Sequence, residues 1–82
     1  MNNERVMPSH EYRDHTIVAN AIPVGDGRFY SVFSVHKNSP GKNIFQLAVL
    51  HQEGHAAGMI CASEKEATDQ AAIRAREWID AQ

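Results

Sequence analysis

Five histidines and a single cysteine are the side chains of this 82-residue protein with the widest chemical reach. His51 and His55 stand four positions apart with Cys61 close behind, residue types that hold zinc when four ligands converge tetrahedrally. A spacing of four brings side chains together on a helix, but Glu53-Gly54 between the two histidines reads as a turn, so no metal site is expected. Cys61 with either histidine could be drawn as a nucleophile and base. That pairing also needs an orienting group and an oxyanion site, and the sequence supplies neither, so Cys61 reads as a buried thiol. Gly25-Asp26-Gly27 and Pro40-Gly41-Lys42 imitate phosphate loops, yet neither has Walker spacing or leads into a helix. The expectation is a protein that is not an enzyme and needs no cofactor.

Composition narrows the remaining classes. A chain of this length forms one domain and buries only about 60 to 65% of its unfolded surface, leaving too thin a core to enclose a deep ligand pocket. The net charge of -2 and pI near 6.2 create no field drawing the chain to nucleic acid or anionic lipid. No apolar run forms a leader or a membrane span. One cysteine cannot form an internal disulfide, which suits a reducing cytoplasm.

The elements that would position any site follow from pattern. Residues 1–11, polar and aperiodic with Pro8, read as an N-terminal arm, and residues 12–82 as the single domain. Thr16, Ile17, Val18, Ile22 and Val24 form a strand ending at Asp26-Gly27, a type I′ hairpin signal, and a second strand runs from Arg28 to about Lys37. Ser39-Pro40-Gly41-Lys42 makes a turn, Ile44 to Gln52 a third strand, and Ala56 to Ala62 leaves room for a short fourth. Ser63 caps a C-terminal helix, with Glu66 reaching back to the cap's own N–H. At 100° per residue, Ala67, Ala71, Ala75, Trp78 and Ile79 share one stripe, Ala72 borders it, and Ile73 points away.

The expected fold is α+β: a three-stranded antiparallel meander, with the short fourth strand at an edge, and one C-terminal helix packed on one face. A two-residue turn at Asp26-Gly27 places Val18, Ile22, Val24, Phe29, Phe33 and Val35 toward the helix, and Asn20 awkwardly among them. A three-residue Gly25-Asp26-Gly27 loop would regroup these sets. The opposite face then carries Ile17, Ala19, Ala21, Tyr30, Val32, Ala48 and Leu50, more apolar than a solvated sheet surface should be. Within that set Ile17, Ala19, Tyr30, Val32, Ala48 and Leu50 are the candidate interaction residues, used to homodimerise or to bind a protein partner. Nucleic acid is the weaker alternative. Arg28, Lys37 and Lys42 lie beside the hairpins near Tyr30, but residues 45–82 carry three basic and six acidic side chains.

Val24-Gly25-Asp26-Gly27-Arg28-Phe29, Ser63-Glu64-Lys65-Glu66-Ala67 and Ala75-Arg76-Glu77-Trp78-Ile79-Asp80 resemble a family of short, uncharacterised bacterial proteins sharing a strand, Asp-Gly turn, strand opening and an Ala-Arg-Glu-Trp-Ile-Asp-like ending. The resemblance spans roughly residues 12 to 80 and implies a fold, with no catalytic residues attached. More distantly, the outline is similar to HicB-type antitoxin domains, a resemblance implying a toxin partner, oligomerisation and a separate DNA-binding segment. The chain departs from them in lacking a Gly-Cys pair before the helix and in ending at Gln82 without an added DNA-binding element. A double-stranded RNA-binding domain is also similar in outline, but its lysine cluster at the helix start is replaced by Glu64, Lys65, Glu66 and Asp69.

Overall fold

A computed structural model of the chain describes residues 9–54 and 59–82. Most of the expected arm, His55 and the start of the proposed fourth strand lie outside the described residues. The strands are β1 (Ser9–Tyr12), β2 (His15–Gly25), β3 (Arg28–Lys37), β4 (Ala48–Gln52) and β5 (Met59–Cys61), followed by one helix, α1 (Glu64–Asp80). They form one antiparallel sheet in the order β1-β2-β3-β4, with β5 also paired to β3. The protein is thus α+β, with its helix packed across the sheet.

Residues 9–11, expected in the arm, instead pair with β2 as an edge strand. The turn that allows this is Arg13-Asp14, where both residues adopt positive φ, 49° and 67°. Such a type I′ turn usually advertises itself with Asn or Gly, and here it does not. It is held from outside: the Asp14 carbonyl accepts from Asn38 N–H at 3.1 Å. The Tyr12 hydroxyl donates to Asp80 at 2.9 Å and Arg13 Nε meets the same carboxylate at 2.9 Å, tying this hairpin to the end of α1.

The second hairpin turns at Asp26-Gly27 as expected, with φ 56° and 73°. One residue before it, however, the register slips. Gly25 pairs with Arg28 and Pro23 with Phe29, so Val24 is an extra residue in a β-bulge, with Gly25 at φ 97°. Because side chains alternate with period two, one inserted residue turns all of β2 over. Ile17, Ala19 and Ala21 now lie opposite Val35, Phe33 and Ser31, while Val18, Asn20 and Ile22 lie opposite Ser34, Val32 and Tyr30. The assignment of Val18 and Ile22 to the helix side, and of Ile17, Ala19 and Ala21 to the other, is therefore corrected for β2 and holds for β3.

The core is Ile17, Ala19, Phe33 and Val35 from the sheet against Ala71, Ala72, Ala75 and Ile79 from α1, with Tyr12 and Trp78 at its margin. Ala67, Ala71 and Ala75 have no exposed surface, so the alanine stripe brings the helix axis close to the sheet as its spacing predicts, and Ile73 is exposed. At the helix start Ser63 Oγ accepts from Glu66 N–H at 3.1 Å. Glu66 reaches one residue further back than a standard capping box, accepting from Ala62 N–H at 2.9 Å.

The expected third strand is shorter than its alternation suggests. Ile44–Gln46 is a 3-10 turn, because Asn43 Oδ1 accepts from Phe45 N–H and Gln46 Oε1 accepts from Asn43 N–H, each at 3.0 Å. Phe45 is thereby thrown outward. Leu47 lines a cleft on the face opposite the helix, away from the core that Phe33 enters beneath α1.

Candidate interaction surface

The face of the sheet turned away from α1 is assembled in rows across the strands. Ile22, Tyr30 and Ile60 form one row through the β2–β3 and β3–β5 pairings, Asn20 and Val32 the next, and Val18, Ser34 and Gln52 the third. Thr16, His36 and Val49 complete it. The row of Ile22, Tyr30 and Ile60 is therefore the apolar end, a polar strip of Asn20, Ser34 and Gln52 crosses the middle, and Val49 is the one apolar residue of the far row. Val18 and Val32 are buried at the centre.

Beside the strip lies an open cleft of about 370 Å³, floored by Val18, Asn20, Ser34, His36, Val49 and Gln52 and walled by Ile44, Phe45 and Leu47 of the 3-10 turn and its exit. Among the described residues no Lys, Arg, Asp or Glu lines it. Ser34 Oγ and His36 Nε2 are 2.9 Å apart, and His36 Nδ1 is buried without a hydrogen-bond partner among the described residues. Desolvation holds the imidazole below its ordinary pKa, which favours its neutral form. A serine and histidine in contact meet only the first requirement of an activated nucleophile, since nothing orients the ring through Nδ1. The cleft is equipped to take neutral hydrogen-bonding groups flanked by apolar ones.

Two of the most exposed large apolar side chains of the described surface, Phe45 and Val49, line it, while Ile60 and Leu50 are not among its lining residues. Phe45 is 87% exposed, Val49 54%, Ile60 53% and Leu50 45%. Of the six residues expected to form the interaction face, Tyr30 and Val32 lie on it, and Leu50 sits exposed at a second bulge, where the β3–β4 register slips between Val35 and His36. Ile17 and Ala19 do not. The bulge at Val24 turns them under the helix, where each is 0% exposed. Ala48 pairs with Lys37, on the same alternation as Val35, and so belongs to the helix side of the sheet rim. Ile22, Val49 and Ile60 were missed. Asn20 carried the signal for the first of these, because a register that puts an amide in the core is a register to distrust.

The described members of the histidine and cysteine set, His51 and Cys61, are separated. His51 is stacked on Trp78 with ring centroids 5.0 Å apart and lies 5.2 Å from the Phe33 ring. Cys61 pairs with Phe29 while His51 pairs with Val35, six residues along β3 or roughly 20 Å. Burial, and then the Glu66 carboxylate, push the Cys61 thiol up, away from the reactive thiolate. Among the described residues no three metal-binding side chains converge, and no helix is long and apolar enough to cross a membrane.

No protein-family model matches this chain, and no curated protein or solved structure matches it either.

Proposed function

We propose that the chain is a non-enzymatic protein-interaction module, which homodimerises or binds a protein partner through the sheet face opposite α1 and the 3-10 turn beside it. The observation that carries this reading is Phe45: a capped turn holds a large aromatic ring almost fully in solvent, next to exposed Val49 and a neutral cleft. An exposed aromatic anchor beside a polar strip is the anatomy of a binding surface, and aromatic residues dominate the energetics of such surfaces. The alternative, a nucleic-acid-associated or antitoxin-like regulator, has less behind it, because a phosphate backbone calls for cations and none of the described residues lining this cleft is one. A reducing cytoplasm suits the buried, free Cys61.

A photo-reactive phenylalanine analogue placed at position 45 tests the reading in cells that make the protein. Discrete cross-linked species are expected from position 45, and their absence there removes the proposal.

A further inference from the structure

Among the described residues, every sheet margin but one carries a charge, a proline or a very short strand that discourages pairing with another chain. β1 presents Glu11 and leads into Arg13 and Asp14. The part of β2 beyond β1 contains Pro23 and the bulge at Val24. β5 is three residues long. β4 is different. It is the terminal strand of the sheet order among the described residues, it exposes Val49 and Leu50, and residues 43–52 contain no Asp, Glu, Lys or Arg. Its one irregularity, the bulge by Leu50, bends the strand without charging it.

Natural edges are normally guarded with charge or proline, so an unguarded apolar edge is either a liability or an interface. The charge-free character of β4 says which partner it fits. In a two-fold antiparallel pairing the residues near the axis meet their own copies, so a charge there would face a like charge. A neutral strand pays no such penalty. We propose that β4 pairs antiparallel with β4 of a second copy of this chain, making one continuous sheet across the dimer and drawing Leu50, Val49 and Phe45 toward the shared interface. The proposal rests on the reading of this region as a protein-binding surface and names its occupant.

Sedimentation velocity on the purified full chain over a dilution series tests it. The wild type is expected to sediment as a dimer that dissociates on dilution. Leu50 is the middle residue of β4 and lies near the axis when the two strands overlap along their full length. Leu50→Lys and Leu50→Glu are therefore each expected to raise the dissociation constant tenfold or more, and an equimolar mixture of the two to restore the dimer. Should either lose its helical circular dichroism, Leu50→Thr keeps strand propensity while removing apolar surface and is expected to weaken the dimer in the same direction. A wild type that is monomeric throughout, or folded variants that dimerise as well as wild type, overturns the proposal. In the first case, cross-links from position 45 to a different protein would leave the broader binding reading standing.

Discussion

Glu53 bonds both backbone groups of Phe33: its N–H donates to the Phe33 carbonyl at 3.0 Å, and its side-chain Oε1 accepts from the Phe33 N–H at 3.3 Å. β4 pairs with β3 from Ser34 to Lys37 and β5 from Phe29 to Ser31, so Phe33 stands in the gap between them. A single glutamate does there what a strand residue would otherwise do, and its second oxygen takes Arg74 Nη1 at 2.6 Å. Arg74 in turn donates through Nη2 to the Ser31 carbonyl at 2.6 Å and lies over the Phe33 ring. Helix, central strand and the end of β4 are thereby clamped at one point.

That clamp is buried enough to matter, with side-chain exposures of 23% for Arg74 and 12% for Glu53. Glu53→Ala leaves a shielded guanidinium without its partner, and a loss of about 3 kcal/mol is expected. Arg74→Ala strands the carboxylate similarly. Removing both charges in Glu53→Gln with Arg74→Met should cost less than the sum of the single changes, because neither leaves an orphaned ion. Urea titrations of the four proteins check the ordering.

The bulge at Val24 makes a prediction that separates the two faces of β2. Ala19 has no exposed surface and faces α1, so Ala19→Asn should cost about 3 kcal/mol by burying an amide beneath the helix. Asn20→Val, on the half-buried opposite face, should change stability by less than about 1 kcal/mol. Without the bulge the two effects would exchange places, and thermal or urea denaturation distinguishes the outcomes directly.

His36 gives the protein a pH dependence of defined sign. Its folded pKa lies below the ordinary 6.5, because desolvation disfavours the imidazolium. Above pH 6.5 the group is neutral in both states and contributes no slope. As the pH falls through 6.5 the unfolded chain takes up a proton that the folded chain resists, so stability declines until the folded pKa is passed and then levels. His36→Gln removes this component. The difference between the wild-type and variant stability curves should therefore be flat above pH 6.5 and fall below it, as read by urea midpoints across pH.

The elements that sequence patterning exposes best are those made by one contiguous segment. The alanine stripe of α1 and the Asp26-Gly27 turn each depend on residues a few positions apart, and both stand where their spacing puts them. What stayed hidden depends on single inserted residues or on distant partners. Val24 adds one residue and inverts the nine before it, and the clues were Asn20 on an inner face and Pro23 in a strand. The Ile44–Gln46 turn hid within an alternation of Phe45, Leu47 and Val49 that a strand would share, although Asn43 and Gln46 have the spacing of a capping pair. The Glu53–Arg74 bridge joins residues 21 apart on different elements, and no local pattern announces it. The candidate surface inherited the error in β2, which is why Ile17 and Ala19 left it and Ile22 entered.

Phe45 stands outside the core and packs into no cluster, so Phe45→Ala should shift the urea midpoint negligibly while weakening association at least tenfold. Equilibrium unfolding and sedimentation of the same variant give the two halves of this result.

The most direct measurement is the cross-linking yield from a photo-reactive phenylalanine analogue at position 45 compared with one at position 73, on the exposed side of α1. The account predicts discrete adducts from position 45 and few or none from position 73. Equal yields, or adducts from position 73 alone, would contradict it.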